Sequence, residues 1–91
     1  MIGVYMRSPS MTVEQYHLID DKLREATDGK SPTGLMLHTC FGESEALAIF
    51  DIWNSQAEFE AMGPVLMPIL AELGVEMSPP DFVEIVAFDV A

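Results

Sequence analysis

The sequence predicts one α+β domain whose strands and helices follow the order β-α-β-β-α-β. Three observations lead to this prediction: two capping-box sequences mark helix starts, alternating apolar residues mark strands, and a tight-turn sequence joins the two central strands. The chain has 91 residues and shows no linker, low-complexity stretch or internal repeat. We therefore expect residues 1–91 to form a single domain.

The first strand and the first helix follow from residue periodicity. Ile2 to Arg7 alternates with a period of two, which predicts a strand. Thr12 with Gln15 three residues later fits a capping box, and this predicts a helix from about Val13 to Thr27. The apolar stripe of this helix has spacings of three and four and consists of Tyr16, Ile19, Leu23 and Ala26.

Two further strands, Gly34 to Phe41 and Glu45 to Asn54, are predicted to form a hairpin. If Gly42 lies opposite Glu45, the residues separate into two distinct faces. The more uniformly apolar face, which we expect the helices to cover, carries Leu35, Leu37, Thr39, Phe41, Ala46, Ala48, Phe50 and Ile52. The mixed face carries Met36, His38, Cys40, Leu47, Ile49, Asp51 and Trp53.

A second helix is predicted after Ser55, which forms another capping-box candidate with Glu58. Its inward positions are Phe59, Met62, Leu66, Ile69, Leu70 and Leu73. Gly63-Pro64 falls inside this run, and proline is tolerated in a first helical turn but not in a helix interior. We therefore expect a kink or a break at Gly63. The last strand is predicted over Phe82 to Val90.

This element order fits a four-stranded antiparallel sheet with the strand order 4-1-3-2 and both helices on one face. The opposite face then lacks a cover within the chain. We expect it to include several large apolar side chains, namely Met36, Leu47, Ile49 and Trp53. So much contiguous apolar surface predicts a partner, and a second copy of the same chain, paired through the sheet face as a homodimer, fits it best.

Composition narrows the possible partners. There are 15 acidic residues against 4 basic ones, and the formal net charge is -11. A charge of this sign repels nucleic acids and anionic membranes, so neither is expected as a partner. The single cysteine, Cys40, has no intramolecular disulfide partner, and no membrane span or leader is recognisable, so a cytoplasmic location is expected.

The whole pattern resembles the dimeric α/β barrel superfamily, which includes antibiotic-biosynthesis-monooxygenase-like proteins. The resemblance rests on the β-α-β-β-α-β order, on the strand-to-helix junction from Asp51 to Phe59 (DIWNSQAEF), and on the segment from Leu66 to Gly74. It implies a ferredoxin-like domain that pairs through its sheet into a dimeric barrel. It does not imply one reaction, because the superfamily includes monooxygenases, isomerases, cyclases, haem enzymes and proteins without known activity.

His38 and Asp51 are the candidate catalytic residues. In the register given above, His38 lies opposite Ile49, and Asp51 is its diagonal neighbour on the mixed face. A carboxylate beside an imidazole orients the ring and favours its charged form, which suits proton transfer. The alternative interpretations are a histidine that is hydrogen-bonded at the dimer seam and an Asp51 that pairs with Arg7.

Three further residues are candidates for substrate binding. Trp53 offers a flat ring for an aromatic substrate, although packing at the interface is an equally simple role. Tyr5 and Arg7 share one face of the first strand, where a phenol and a guanidinium can stabilise developing negative charge. The first strand neighbours the third in the expected sheet, so both residues are expected to lie near Asp51, and an exposed role at the edge of the sheet is the alternative.

The sequence therefore predicts a protein that binds a small apolar or aromatic molecule and acts as a cofactor-independent monooxygenase, isomerase or cyclase. The alternative is a noncatalytic ligand-binding or interaction module with the same fold. No cofactor is expected, because the chain has no phosphate-binding glycine loop and no dinucleotide fingerprint. No metal site is expected either, because the two histidines have no metal-ligand spacing.

Overall fold

The computed structural model describes all 91 residues. Its elements are β1 (Ile2–Arg7), α1 (Val13–Ala26), β2 (Leu35–Glu43), β3 (Ala46–Trp53), α2 (Gln56–Ala61), α3 (Gly63–Leu73) and β4 (Asp81–Glu84). The four strands form one antiparallel sheet in the order β2-β3-β1-β4, which is the predicted 4-1-3-2 order taken from the other edge. The predicted ferredoxin-like α+β fold is confirmed. None of the helices has the length and apolarity needed to cross a bilayer.

Helix α1 begins at the predicted capping box. The Thr12 hydroxyl accepts a hydrogen bond from the backbone N–H of Gln15 at 3.1 Å, and the Gln15 side chain accepts from the backbone N–H of Thr12 at 3.0 Å. These two bonds satisfy backbone donors that the helix start leaves without partners. Ile19 is buried in the core, and Tyr16 and Leu23 pack against the same cluster, so the inward stripe faces the sheet.

The second predicted helix is divided in two, as its glycine and proline indicate. Helix α2 ends at Ala61, and α3 begins at Gly63 with Pro64 in its first turn. Pro68 lies inside α3, where it removes one backbone donor without ending the helix. The chain therefore has three helices rather than two. Because α2 and α3 are separate, Phe59 packs against Trp53 while Ile69 and Leu70 pack in a second cluster with α1.

The hairpin register differs from the predicted one by two residues. Gly42 pairs with Leu47 and Glu43 pairs with Ala46, so the turn consists of Ser44 and Glu45. Glu45 has a positive φ of 75°, an uncommon conformation for a residue with a side chain but one that a tight turn requires. A shift of two keeps most residues on their predicted face and changes their cross-strand neighbours. His38 now lies directly opposite Asp51.

The prediction of which face the helices cover is wrong. The buried clusters beneath the helices contain Leu47 and Trp53 of the mixed face, together with Val4 and Met6 of β1. The mixed face can be buried because its polar side chains bond to one another, and no buried side-chain nitrogen or oxygen lacks a partner. The more uniformly apolar face is the one that no helix covers; we call it the uncovered face.

The uncovered face carries exposed apolar side chains. Phe41 is 47% exposed and Val83 is 51% exposed. Gly3 lies at the centre of this face, where a Cβ atom would come within 2.9 Å of both the Phe50 ring and a Val83 methyl group. Only glycine therefore lets these two side chains lie across β1 without displacement. An apolar layer is thus built on a sheet face that has no cover within the chain.

Strand β4 is shorter than predicted. It covers Asp81–Glu84 instead of extending to Val90. Ile2 pairs with Glu84, and one further bond joins the Ile85 N–H to the Met1 carbonyl. Beyond that point the chain has no neighbouring strand, and Val86 is 95% exposed.

Candidate functional site

The cross-strand pair His38 and Asp51 forms the centre of the candidate site. His38 Nδ1 lies 2.7 Å from Asp51 Oδ1, and the Trp53 indole N–H donates to Asp51 Oδ2 at 3.3 Å. Asp51 is 6% exposed, so its carboxylate is held in place away from solvent. The sheet explains this geometry: His38 faces Asp51 across the ladder, and Trp53 lies two residues further along the same strand face.

Tyr16 extends this arrangement from α1. Its hydroxyl oxygen lies 2.6 Å from His38 Nε2, and the planes of the two rings are nearly parallel, at 10°, with centroids 6.0 Å apart. A carboxylate only accepts hydrogen bonds, so His38 Nδ1 carries the proton that points at Asp51. When the imidazole is neutral, Nε2 is then the acceptor and the Tyr16 hydroxyl is the donor. We call Tyr16, His38, Asp51 and Trp53 the network.

Sequence reasoning assigned Tyr16 to the inward stripe of α1 and gave it no functional role. A usable signal was present: an inward stripe of apolar residues contained one hydroxyl, and a buried tyrosine hydroxyl usually finds a partner. Identifying that partner as His38 requires the packing of α1 against the edge strand β2. This information is tertiary and has no fixed sequence spacing.

Local electrostatics favour a charged His38 and a neutral Tyr16. The hydrogen bond to Asp51 raises the pKa of His38 above its ordinary value of 6.5, although partial burial acts in the opposite direction. Burial raises the pKa of Tyr16 above 10.0, and the nearby Cys40, Asp20 and Asp51 add to this effect. Burial also raises the pKa of the Cys40 thiol. At neutral pH Tyr16 is therefore a phenol and Cys40 a thiol.

Tyr5 and Arg7 do not join the network. In the β1–β3 ladder Val4 lies opposite Asp51, whereas Tyr5 lies opposite Phe50 and Arg7 opposite Ala48. Side chains of adjacent residues in a strand point to opposite faces, so both belong to the uncovered face. The Tyr5 ring lies 6.3 Å from that of Phe41 on that face. The expectation that they stabilise charge beside Asp51 overlooked this alternation.

Trp53 is held behind the His38–Asp51 pair. It is 1% exposed, and its ring packs edge-to-face on Phe59 at a centroid distance of 5.7 Å. In this conformation neither face of the ring is open to a ligand. Its contact with the site is the N–H bond to Asp51, so the structure supports a positioning role rather than a stacking surface for substrate.

Two surface clefts lie outside the network. A groove of about 580 Å³ between α1 and α3 is bordered by Lys22, Glu72 and Pro68, and a second of about 320 Å³ is formed near Thr12 and Glu45. Neither contains any of the five predicted site residues. His38 itself reaches solvent, because its side chain on the edge strand is 38% exposed. The structure brings together no group of three or more His, Cys, Asp or Glu side chains that could hold a metal ion.

The His38–Asp51 bond predicts a defined dependence of stability on pH. Because the pKa of His38 is raised by folding, protonated His38 stabilises the fold below about pH 6.5, and this contribution is lost as the pH rises through the raised value. Asp51→Asn should flatten this part of the stability curve. The side chain is partly exposed, so the change is about 1 kcal/mol or less.

Thermal unfolding of the protein and of Asp51→Asn at several pH values measures this effect, and an NMR titration of His38 supplies its pKa directly. His17→Gln is the matched control, because His17 is an exposed histidine next to Tyr16 that makes no hydrogen bond to the Asp51 carboxylate. If Asp51→Asn leaves the His38 titration unchanged, the pair does not exist in solution.

Solved structures described as antibiotic biosynthesis monooxygenases share this fold. A candidate antibiotic biosynthesis monooxygenase from Deinococcus radiodurans superposes with a TM-score of 0.66 over 100% of this chain and 99% of its own, at 15% sequence identity. A second candidate monooxygenase, from Chloroflexus aurantiacus, gives 0.68 over 98% of this chain and 96% of its own, at 13% identity.

SnoaB, a cofactor-independent oxygenase from Streptomyces nogalater, was solved as a variant and gives a TM-score of 0.67. The match covers 96% of this chain and 94% of SnoaB at 11% identity. The sequence matches no model of a protein family and no curated protein. At such low identities the likeness establishes the fold, and the function has to be argued from the site.

Proposed function

We propose that the chain is a cofactor-independent enzyme that removes a proton from a small, neutral, mostly apolar substrate. The observation that carries this proposal is the 2.7 Å contact between His38 Nδ1 and the buried Asp51 carboxylate. This contact fixes the tautomer and orientation of the imidazole and stabilises the imidazolium that forms when Nε2 accepts a proton. Asp51 is therefore the orienting group and His38 the base.

Proton removal from a carbon beside a carbonyl leaves the electron pair on the substrate as an enolate. Return of the proton to a different atom completes an isomerisation. Attack of the enolate carbon on a second carbonyl, followed by return of the proton to the new alkoxide oxygen, completes a cyclisation. With dioxygen as co-substrate, a CH₂ group becomes C=O, one oxygen atom enters the product, and the other leaves as water with the two hydrogens. The fold shared with SnoaB, described as a cofactor-independent oxygenase, supports the oxygen-dependent reaction.

Charge around the network favours an uncharged substrate. Asp20 lies near the Tyr16 and His38 side chains and raises the pKa of both, and Asp51 lies behind them. With a net charge of -11 on the whole chain, an anionic substrate is repelled at long and short range. An enolisable aromatic ketone or a phenol fits these conditions, since it is neutral before it loses its proton.

We also propose that two copies pair through the uncovered face. The exposed apolar side chains on that face, including Phe41 and Val83, support this assembly. The network lies on the opposite face, beneath the helices, so a dimer of this kind leaves His38 outside the seam. Nucleic acids and anionic membranes are not expected as partners, for the same charge argument as above.

The alternative is a noncatalytic ligand-binding module. The open groove between α1 and α3 supports it, because this surface depression contains no member of the network. A ligand bound there would lie between Lys22 and Pro68 and would not contact His38. Binding without turnover, with His38 variants binding as well as the unaltered protein, is the result expected from this alternative.

Hydrogen–deuterium exchange at carbon measures the proposed proton removal directly, and it does not require dioxygen. The probe is β-tetralone, a neutral aromatic ketone with an acidic CH₂ group, which is incubated with the protein in deuterium oxide and followed by NMR. We expect exchange above the buffer rate, and we expect His38→Gln to reduce the protein-dependent rate by about 100-fold, a typical contribution of one general base. The rate should rise with pH through the raised pKa of His38, since only the neutral imidazole accepts a proton.

His17→Gln is again the control and should keep the full rate. If the unaltered protein does not accelerate exchange of this ketone, the proposed activity toward enolisable ketones is wrong. If His38→Gln and His17→Gln exchange equally fast, His38 is not the base.

A further inference from the structure

The Nε2 nitrogen of His38, which does not face Asp51, already has a hydrogen-bond partner in this structure. Asp51 takes the Nδ1 side of the ring, and the Tyr16 hydroxyl lies 2.6 Å from Nε2 on the other side. The planes of the two rings are nearly parallel, at 10°, with centroids 6.0 Å apart, so the rings lie end to end with the hydroxyl between them and the imidazole nitrogen. While this hydrogen bond is intact, the Nε2 lone pair of neutral His38 is used by the Tyr16 hydroxyl and is not free to take a substrate proton.

We propose that Tyr16 is the catalytic residue that contacts the substrate and relays its proton to His38. This inference rests on the proposed function and reassigns the atom that accepts the proton. The substrate C–H bond breaks, its proton bonds to the Tyr16 oxygen, and the phenolic proton moves to His38 Nε2. The electron pair remains on the substrate as an enolate, and the imidazolium is paired with the Asp51 carboxylate. Nothing is oxidised or reduced in this step.

The surroundings of Tyr16 suit a relay. Its raised pKa keeps the hydroxyl protonated at neutral pH, so a proton is always present to pass to His38. The charged or titratable groups near the pair are Asp51 from β3, Cys40 from β2, and Asp20, Arg24 and His17 from α1. Asp20 is paired with Arg24 at 3.1 Å, and Arg24 acts on the Tyr16 pKa in the opposite direction to the carboxylates. The carboxylates oppose a lasting tyrosinate and favour the imidazolium, which is the charge distribution that the relay produces.

Protonation of His38 reverses the hydrogen bond. An imidazolium donates from both nitrogens, so Nε2–H points at the Tyr16 oxygen and the phenolic O–H turns away from the ring. In this state Tyr16 can donate a hydrogen bond to the enolate but cannot pass on a second proton. When His38 is neutral, the relay carries a proton from the substrate to His38. When His38 is charged, the relay returns a proton to the substrate, as an exchange or isomerisation cycle requires.

The β-tetralone exchange assay separates this role from the role of His38. Tyr16→Phe removes one oxygen atom and retains the ring, and we expect it to lower the protein-dependent exchange rate by about 100-fold. The NMR titration of His38 in this variant should still show its coupling to Asp51. A Tyr16→Phe rate equal to that of the unaltered protein, with His38→Gln inactive, overturns the relay and retains His38 as the direct base.

Chemical rescue distinguishes a relay from a structural role. Tyr16→Ala leaves space where the phenol ring was, and we expect added phenol to restore exchange while toluene, which has nearly the same shape and no hydroxyl, does not. Failure of phenol to restore exchange in a Tyr16→Ala protein that remains folded by circular dichroism overturns the inference. Exchange absent from the unaltered protein overturns the proposed function itself, so the two failures are distinguishable.

Discussion

Trp53→Ala is expected to lower the free energy of unfolding by about 3–5 kcal/mol, the usual cost of removing a buried aromatic side chain. Trp53 is 1% exposed and packs with Val4 and Met6 in one of the two core clusters. Its edge-to-face contact with Phe59 continues to Phe82 of β4, so the indole connects three elements of the domain. For a domain of this size, such a loss lowers the melting temperature by at least about 12 °C.

Trp53→Phe separates packing from hydrogen bonding. Phenylalanine retains much of the ring but has no N–H, so Asp51 Oδ2 loses its donor inside the core. We expect a smaller loss of about 1–3 kcal/mol, which is the cost of leaving a buried polar atom without its partner. Urea unfolding followed by circular dichroism measures both variants, since the chain has one tryptophan and both substitutions remove its fluorescence. A cost below about 1 kcal/mol for Trp53→Ala would contradict the burial of the indole.

The parts of the fold that depend on local chemistry could be predicted from the sequence. Thr12 with Gln15 and Ser55 with Glu58 identify two helix starts, because a capping side chain acts within one turn. Gly63-Pro64 identifies the division between α2 and α3 for a similar local reason. In each of these cases the interacting groups are within a few residues of one another.

The sheet faces could not be assigned in this way. An apolar face is favoured both beneath helices and against a second protein, so counting apolar residues does not distinguish the two environments. The mixed face is the buried one because His38, Asp51 and Trp53 satisfy one another, and this depends on a hairpin register that differs by two residues from the predicted one. The same register brings His38 and Asp51 together directly rather than diagonally.

The contact at the centre of the candidate site could be anticipated from the sequence, although its role stays a prediction. His38 and Asp51 were selected because a histidine and a carboxylate on neighbouring strands are chemically suited to proton transfer, and the structure joins them at 2.7 Å. Tyr5 was included because β1 adjoins β3, but its side chain lies on the other face. Tyr16 was missed as a site residue because it lies on α1. The contact between a helix and an edge strand cannot be predicted from the spacing of residues in the sequence.

The sheet-paired dimer gives the second large prediction. Phe41→Asp places a carboxylate on the uncovered face at a residue that is 47% exposed in the single chain. When two such faces pair, each subunit buries one carboxylate that has no oppositely charged group beside it. This burial costs several kcal/mol, so we expect dimer affinity to fall by about 1,000-fold. Sedimentation or light scattering at micromolar concentration should show a dimer for the unaltered protein and a monomer for the variant.

Met67→Asp is the matched control, because Met67 is 63% exposed on α3 and lies outside the uncovered face. It should remain a dimer, and an unaltered protein that is monomeric under these conditions would contradict the assembly. The monomeric Phe41→Asp variant also tests where the network lies. The His38–Asp51 pair is formed within one chain beneath the helices, so its NMR titration should be the same in the monomer as in the dimer. A histidine at the dimer seam would instead change its pKa on dissociation, because its partners would leave with the second subunit.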